Sequence, residues 1–400
     1  MTGTQASYCA GCNAQTSKTC QGCADAGGFV DGATKTFYCG VQCQKADWQA
    51  HKKTCKRLKS HKSLYQAGKV LRVLWLAFRT YSMCWNIDKV QIQSENITFW
   101  QTFGFYGGDV VLEPFAHHLF ADEKLKEAVL DCGACNNVYN IDYIVRSLLS
   151  EVTLKIANKR HGIVYFHRNN ASTAYEKCSS TNWCKASTGE TFQRQAADRE
   201  PTVHQVFRVR LKATNEYFVI DLTNAQFGFF DTVIPWEKYL SERVSGVRAI
   251  NSLGTYDWVK WEGLTLESIR DLDLKTFTAL RLEQLFESWQ SENDLTTAQL
   301  IAVSGTNLTD RCAELEKHLS NGLTQSWKQA ERFCDLAWEL RCETERKKKL
   351  YETTEFLKRA GLLDRAWSPN NHRWVQSLQW LFRLNATSLS TSSGLSAVLD

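Results

Sequence analysis

Proline and long apolar segments are scarce in this chain of 400 residues. It has four prolines, too few for long proline-rich linkers. Its longest mainly apolar segment, Val70–Phe78, is interrupted by Arg72 and is far shorter than the roughly 20 residues of a membrane-spanning helix. The N-terminal MTGTQASYCAGC contains no basic segment followed by an apolar one, so we expect no secretory signal. The sequence therefore predicts a nuclear or cytoplasmic protein that is not secreted and contacts no membrane.

Apolar and aromatic residues, by contrast, are abundant. They make up 43% and 12% of the chain, and 14 residues are tryptophan. This is enough apolar surface to bury a core, and it excludes wholesale disorder. The length exceeds the about 100–200 residues of an average domain. We therefore expect a folded chain with more than one domain.

Net positive charge is confined to the N-terminal segment. The net charge of +5 divides into +6 for residues 1–62, from nine Lys or Arg and three Asp, and −1 for the remainder. Much of it lies in Lys52–Lys62, a pattern typical of a nuclear-import or nucleic-acid patch or of the exposed face of a helix. No aromatic residues alternate with these charges to stack on bases. We expect nucleic-acid binding to be weak and non-specific at most.

Cysteine is distributed just as unevenly, since seven of the fifteen cysteines lie between Cys9 and Cys55. Without a secretory signal, such a cluster indicates metal binding rather than disulfides. Two Cys-x2-Cys pairs suit tight turns that bring two thiolates to one ion, and two pairs with three intervening residues suit one face of a helix. The candidate ligands are Cys9, Cys12, Cys20, Cys23, Cys39, Cys43, His51 and Cys55.

Eight ligands suffice for two tetrahedral sites, each with four protein ligands and no open position. Closed sites of this kind are structural rather than catalytic. Residues 1–62 contain too few aliphatic side chains to form a core of their own, so metal binding is expected to supply the free energy of folding. The sequence therefore predicts two structural Zn²⁺ ions.

The segment Tyr38–Cys55 has the pattern Tyr-Cys-x3-Cys-Gln-x2-Asp-Trp-x2-His-Lys-x2-Cys, which resembles the second half of a MYND-type zinc finger. The stretch between Cys23 and Cys39 is several residues longer than is usual in that family. The resemblance implies that the ligands of the two ions interleave along the chain. The first set would be Cys9, Cys12, Cys39 and Cys43, and the second Cys20, Cys23, His51 and Cys55.

The same resemblance implies an interaction module that docks short, often proline-containing peptide segments. The predicted function is therefore that of an adaptor or regulatory factor, whose zinc finger binds other proteins. The predicted fold class is α+β: a small N-terminal two-zinc, treble-like finger, then a mixed α+β domain and a C-terminal helical region. The predicted divisions are 1–62 for the finger with its basic helix, 63–255 for the α+β domain, 256–386 for the helices and 387–400 for a flexible tail.

Local patterns predict the elements of the second and third parts. Apolar residues at helical spacing predict helices over Leu64–Met83, Ala121–Leu130 and Asp142–Ala157, and a helical region over Leu264–Leu384. Alternating residues predict strands within Asn86–Trp100 and at His161–His167. The polar segment Arg168–Pro201, rich in Ser, Thr and Asn, favours a long surface loop.

Two further strands, His204–Leu211 and Glu216–Thr223, form a predicted hairpin around Lys212–Asn215. An even-length loop makes paired residues sum to an odd number, and paired residues point to the same face of the sheet. A register that pairs Phe207 with Phe218 places the apolar residues together on a core face. The sequence therefore predicts this register.

In this register His204 and Asp221 share the opposite face of the sheet. We expect their side chains to lie within hydrogen-bond reach of each other, or one ladder step beyond that reach. A His and an Asp on such strands, with Cys135 before the helix at Asp142–Ala157, resemble the transglutaminase-like branch of papain-type folds. The segment Tyr217–Thr223 is similar to the strand that carries the Asp in that fold. The resemblance implies that Cys135 attacks as a thiolate, His204 moves the proton and Asp221 orients the imidazole.

Two interpretations of these three residues stay open. In the first, they are the catalytic set of a cysteine hydrolase or acyltransferase that uses the finger as a targeting module. In the second, His204 and Asp221 are an ordinary cross-strand polar pair and Cys135 is a loop cysteine, in keeping with a binding protein. We expect Cys135 to be the cysteine nearest His204, but farther away than the reach of a working nucleophile and base.

Overall fold

The fold is given by a computed structural model. It describes residues 7–23, 35–83, 86–93, 96–103, 105–106, 109–110, 115–132, 134, 138, 140–150, 162–168, 177–185, 191–195, 203–252, 266–303, 305–341, 355–356 and 358–361. The predicted tail at 387–400 lies outside these residues, and so does Cys135.

The main helices among the described residues are eight α-helices and two short 3-10 helices, and further helical residues lie at 138, 140–141, 355–356 and 358–359. The α-helices are α1 (Val41–Ser82), α2 (Glu123–Asp131), α3 (Asp142–Ser150), α4 (Trp236–Arg243), α5 (Leu266–Glu292), α6 (Thr297–Leu300), α7 (Gly305–Gln325) and α8 (Trp327–Arg341). The 3-10 helices are His117–Leu119 and Asn224–Phe227. No helix among these residues combines the length and the apolar character that crossing a membrane requires.

The strands form two main sheets and one small ribbon. They are β1 (Asn86–Gln93), β2 (Asn96–Phe103), β3 (Phe105–Tyr106), β4 (Asp109–Val110), β5 (Gly162–Arg168), β6 (Lys177–Lys185), β7 (Thr191–Gln195), β8 (Val203–Arg210), β9 (Tyr217–Ile220), β10 (Val233–Pro235) and β11 (Val244–Ser252). One sheet has the order β1-β2-β6-β7, and the other, antiparallel throughout, has the order β10-β9-β8-β5-β11. The predicted α+β class, with an N-terminal finger and a helical C-terminal part, is confirmed.

Helix α1 runs through the main hydrophobic core. Along its C-terminal half Leu64, Leu71, Trp75 and Phe78 are completely buried, at spacings of seven, four and three residues that keep side chains on one helix face. Alternate residues of β8 and β9 and the leucines of α5 and α7 belong to the same core. Full burial of such a side chain contributes roughly 1.5–3 kcal/mol, so packing anchors this half of α1.

One glycine lets the five-stranded sheet approach α1 closely. A Cβ atom at Gly68 would collide with the side chain of Val233 on β10. Both residues are buried, so a larger side chain at Gly68 would push the helix away from the sheet. This contact sets the position of α1 against the edge of the sheet.

Helix α1 is longer than the sequence predicts. The sequence predicts a basic helix at the end of the finger and a second helix from Leu64, whereas α1 begins at Val41 and passes residue 62, the predicted end of the finger, without a break. No proline interrupts this span, and the ligand spacing of the finger leads directly into the apolar spacing of the core. The finger and the following part of the chain therefore share one helix.

The β8–β9 hairpin has the predicted turn and the predicted faces, but a different register. Phe207 pairs with Ile220, so the predicted pairing of Phe207 with Phe218 is wrong by two residues. The backbone N–H of Leu211 donates to the carbonyl of Glu216 at 3.0 Å, which closes a four-residue turn and determines the register. Because the shift is even, every side chain keeps its predicted face.

Two strands lie where the sequence predicts a loop. Strands β6 and β7 fall within Arg168–Pro201, so the prediction of a long loop is wrong there. Strand β6 pairs in parallel with β2 and antiparallel with β7, and a backbone ladder does not require apolar side chains. The strands predicted within Asn86–Trp100 and at His161–His167 are confirmed as β1, β2 and β5.

A buried ion pair joins α1 to α2 and to the chain that follows β9. Arg72 Nη1 donates to both carboxylate oxygens of Asp131, at 3.0 and 2.9 Å, and Nη2 donates to Glu127 Oε2 at 2.7 Å. The Asp131 carboxylate also accepts from Trp75 Nε1 at 2.9 Å and from the backbone N–H of Ala225 at 3.0 Å. Burial raises the pKa of Asp131 to about 6, against the effect of these donors. At neutral pH the carboxylate is therefore ionised and paired.

A second polar contact joins the finger end of α1 to the turn between β8 and β9. Glu216 Oε1 lies 2.9 Å from Arg57 Nη2, and Glu216 Oε2 lies 2.6 Å from His61 Nε2. The buried His61 ring stands edge-on against Phe218, with 5.0 Å between the ring centroids. Burial raises the pKa of Glu216. Hydrogen bonds from Thr214, His61 and Arg57 lower it by more than burial raises it, so the net shift of the pKa is downward. This contact therefore attaches α1 to the turn of the hairpin.

We predict that Asp131→Asn lowers the free energy of unfolding by roughly 3 kcal/mol, because it removes the charged partner of a buried guanidinium. Glu127→Gln is the matched control. Glu127 also binds Arg72 but is partly exposed, so its loss should cost about 1 kcal/mol or less. Urea unfolding followed by tryptophan fluorescence measures both variants. Equal costs would contradict the central role of Asp131.

Candidate metal centre

The first cluster connects the N-terminal turn to the start of α1. The sulfur atoms of Cys9, Cys12, Cys39 and Cys43 lie within 4.8 Å of one another, with 3.5 Å from Cys12 to Cys39 and 3.4 Å from Cys39 to Cys43. The turn closes where the N–H of Asn13 donates to the carbonyl of Cys9 at 2.8 Å, with a φ of 61° at Asn13. Asparagine tolerates this left-handed conformation better than most residues.

The second cluster is buried at all four positions. The ligand atoms of Cys20, Cys23, His51 and Cys55 also lie within 4.8 Å of one another. The sulfur atoms of Cys20 and Cys55 are 3.8 Å apart, and Cys23 Sγ is 3.5 Å from His51 Nε2. Because His51 and Cys55 are one turn apart on α1, both side chains leave the same face of the helix.

A short segment between the second and third ligand pairs explains why the two sets interleave. The carbonyl of Phe37 accepts from the N–H of Ala10 at 2.9 Å, and the carbonyl of Thr36 accepts from the N–H of Cys20 at 2.9 Å. The segment therefore bonds to both Cys-x2-Cys turns. The chain that leaves it reaches the first cluster at Cys39, and α1 then continues to the second cluster.

Both clusters fit a tetrahedral zinc ion. Four thiolates at about 2.3 Å from one ion are roughly 3.8 Å apart, and the sulfur–sulfur separations of 3.4, 3.5 and 3.8 Å are close to that value. The structure groups the eight residues in the same two sets that the family resemblance implies. In both sets zinc would act as a cross-link with four protein ligands and no position for a substrate.

The protonation of the thiols makes metal binding depend on pH. Burial, followed by the two neighbouring thiols, raises the pKa of Cys23. Hydrogen bonding, first of all with Cys39, raises the pKa of Cys43 to about 12. Cys9 differs, because backbone N–H groups, chiefly that of Cys39, lower its pKa to about 6. Zinc binding must displace protons from most of these thiols, so metal affinity falls as the pH falls.

Side chains around the ligands hold them in place, as is usual in metal sites. The hydroxyl of Tyr38 donates to Asp47 Oδ2 at 2.6 Å, and its ring stands edge-on against His51 with 5.7 Å between centroids. Gln44 Nε2 donates to Cys20 Sγ at 3.4 Å. Ligand spacing does not identify these supporting residues. Their signal in the sequence is that they are the polar non-ligand residues of the 38–55 pattern.

His204 and Asp221 meet on the face of the five-stranded sheet that packs against α4. His204 Nε2 lies 2.8 Å from Asp221 Oδ2, and the hydroxyl of Tyr239 donates to the same oxygen at 2.6 Å. The backbone N–H of Thr223 donates to the other oxygen, Oδ1, at 3.1 Å. The carboxylate therefore links β8, the end of β9 and α4. The two side chains share one face, in agreement with the parity of their positions.

The surroundings of this pair are those of a packed interior. His204 and Asp221 are 0% and 1% exposed, and the His204 ring stands edge-on against Phe227 at 5.1 Å between centroids. Cys135 lies outside the described residues, so the structure brings together two of the three predicted catalytic residues. The catalytic role of the three stays a prediction. Cys132, which is described, belongs to a separate buried cluster.

Comparison with known protein families identifies the finger. Residues 9–55 match the family model described as MYND finger, and this segment contains both metal clusters. The predicted resemblance to a MYND-type zinc finger is thereby confirmed for this part of the chain. No curated protein and no solved structure matches the chain.

We predict that the purified protein contains two zinc ions per chain, and that chelation unfolds residues 9–55 while the core stays folded. The buried cluster of the finger consists largely of metal ligands, whereas the main core contains none of them. Elemental analysis measures the stoichiometry. Trypsin should cleave within Lys45–Lys59 rapidly only after chelation. One ion per chain, or loss of the whole fold on chelation, would be incompatible with these clusters.

We also predict that ligand substitutions affect the two ions in pairs. In cobalt-substituted protein, Cys12→Ser and Cys43→Ser should alter the absorption of one site, because their sulfur atoms belong to one cluster. Cys23→Ser and His51→Ala should alter the other. Cys312→Ser, a partly buried cysteine on α7, is the control and should alter neither. A shared effect of Cys12→Ser and Cys23→Ser would show that the ligand sets are different.

Proposed function

We propose that the finger is a protein-interaction module that binds short, proline-containing segments of partner proteins, and that the protein acts as an adaptor or regulatory factor. Two findings support this. Both zinc sites use four protein ligands, which is the arrangement of structural rather than catalytic zinc. The match to the MYND finger also supports it, because such fingers are generally protein-interaction modules. A nuclear or cytoplasmic location is part of the proposal.

The exposed indole of Trp48 beside the second cluster is the observation that carries this proposal. Trp48 is 38% exposed, and its ring centroid lies 6.3 Å from that of the ligand His51. Val41, 64% exposed, lies two helical turns before Trp48 on the same side of α1. Tryptophan held in an exposed position on a rigid element is typical of the centre of a binding surface.

A proline-containing segment suits such a surface for physical reasons. Proline restricts φ to near −65°, so an extended segment loses little conformational entropy when it binds. Its ring packs against aromatic side chains, as in other domains that recognise polyproline helices. Affinity for so short a segment therefore depends strongly on the indole of Trp48.

A cysteine hydrolase or acyltransferase is the second candidate function. The hydrogen bond between Asp221 and His204 favours it, because a catalytic imidazole needs such a partner to hold its orientation. The complete burial of His204 argues against it, because a general base must come within reach of the substrate. A thiol-directed probe decides between the two functions. Labelling of Cys135 that disappears in His204→Ala would favour the enzyme, and we expect none.

We predict that Trp48→Ala weakens peptide binding by about tenfold or more, since truncation of a central tryptophan typically costs about 2 kcal/mol. The peptides come from a displayed library of random short peptides selected on the zinc-loaded protein, and fluorescence anisotropy measures their affinity. Tyr143→Ala is the matched control, because Tyr143 is also 38% exposed but lies on α3. Zinc content should stay at two ions in both variants. Unchanged affinity in Trp48→Ala would overturn the proposal.

A further inference from the structure

The face of α1 that exposes Val41 and Trp48 also carries a row of lysines. At about 100° per residue, positions four, seven and eleven residues apart stay close together around a helix. Four exposed lysines occupy such positions on the side of Val41 and Trp48. They form the lysine row: Lys45, Lys52, Lys56 and Lys59.

The lysine row has no acidic partner on its own helix. Helix α1 contains one acidic residue, Asp47, and its carboxylate accepts the hydrogen bond of Tyr38. The nearby Glu216 binds Arg57 and His61 instead. In the part of the chain that the structure describes, no salt bridge involves a lysine of the row. Its positive charge is therefore directed at solvent.

Zinc binding leaves this charge in place. Two Zn²⁺ ions and seven thiolates together carry −3, whereas residues 1–62 carry a formal +6 without them, so the finger keeps a net positive charge. The ligands His51 and Cys55 are buried, whereas the lysine row is exposed. Lys59 lies one helical turn beyond Cys55 and acts electrostatically on its thiol, so the row borders the buried ligands while its own side chains are exposed.

We propose that the partner segment is acidic next to its proline-containing part, and that its Asp and Glu side chains pair with the lysine row while its prolines pack on Trp48. The inference rests on the proposed function and names the chemistry of the bound segment. From Lys52 to Lys59 the row extends about 10 Å along the helix. That is the length of about three residues of an extended peptide, so a run of three or four acidic residues fits it.

An acidic peptide fits this surface better than a nucleic acid does. A helix in the major groove lies between two phosphate backbones, so basic residues on both of its edges favour binding. On α1 four of the six exposed lysines form one row, whereas Lys53 and Lys69 lie outside it, and Arg57 on another side of the helix is bound to Glu216. The apolar side chains of Val41 and Trp48 have no phosphate to contact. A peptide with an apolar part and an acidic part uses both halves of the surface.

The test is the selection of displayed random peptides on the full-length, zinc-loaded protein. We expect the enriched peptides to combine proline with a run of Asp or Glu. The triple variant Lys52→Gln, Lys56→Gln and Lys59→Gln should bind them about tenfold more weakly in fluorescence anisotropy, because each exposed ion pair contributes about two- to threefold. The loss of affinity with added salt should also be less steep than in the unmodified protein.

The matched control removes three positive charges from exposed positions outside the row. It is the triple variant Lys53→Gln, Lys317→Gln and Lys328→Gln, and it should bind the same peptides with unchanged affinity. If both triple variants bound the peptides equally weakly, the loss of affinity would be an effect of net charge alone, and the inference would be overturned.

The remaining outcomes separate this inference from the proposed function. Enriched peptides that contain proline, depend on Trp48 and lack acidic residues would overturn the inference and leave the proposed function standing. Peptides whose binding does not depend on Trp48, or a selection that enriches none, would overturn both. Displacement of the peptides by an oligothymidine strand at physiological salt, abolished by the row variant, would assign the row to nucleic acid and overturn the inference.

Discussion

Helix α1 places metal ligands at one end and core side chains at the other, and helices α2, α3, α5 and α7 and strand β10 pack against it. His51 and Cys55 belong to the second metal cluster, whereas the half that contains Trp75 is buried in the main core. The ion pair of Arg72 attaches α2, and Glu216 attaches the β8–β9 turn. Because the helix has no break, the free energy of metal binding and the free energy of core burial act on a single element.

Features that depend on spacing along the chain could be predicted from the sequence. The eight ligands follow from four pairs at the separations that turns and helices require. Their division into two sets did not follow from spacing, because the stretch between Cys23 and Cys39 could close in more than one way, and it came from the family resemblance. The faces of the β8–β9 hairpin were predictable as well, since a period of two is unchanged by an even shift in register.

Features that depend on contacts between distant segments could not be predicted. The carboxylate of Asp131 and its partner Arg72 are 59 residues apart, and no local pattern marks them as a pair. Tyr239 comes from α4, so the sequence of the hairpin could not predict the hydrogen bond that its hydroxyl donates to Asp221. Strand β6 is polar, and its place in a sheet depends on its neighbours. The predicted end of the finger at residue 62 stays a prediction, because the helix there continues without interruption.

The uninterrupted α1 has a consequence for multivalent association. Trp48 and Trp75 are about 40 Å apart along the helix axis, so a segment bound at Trp48 is held at a set distance from the body of the protein. A partner that also touched that body would gain avidity only if the linker between its two contacts spanned this distance. A linker much longer than that would lower the effective concentration of the second contact. The length of the helix therefore discriminates among bivalent partners by the separation of their motifs.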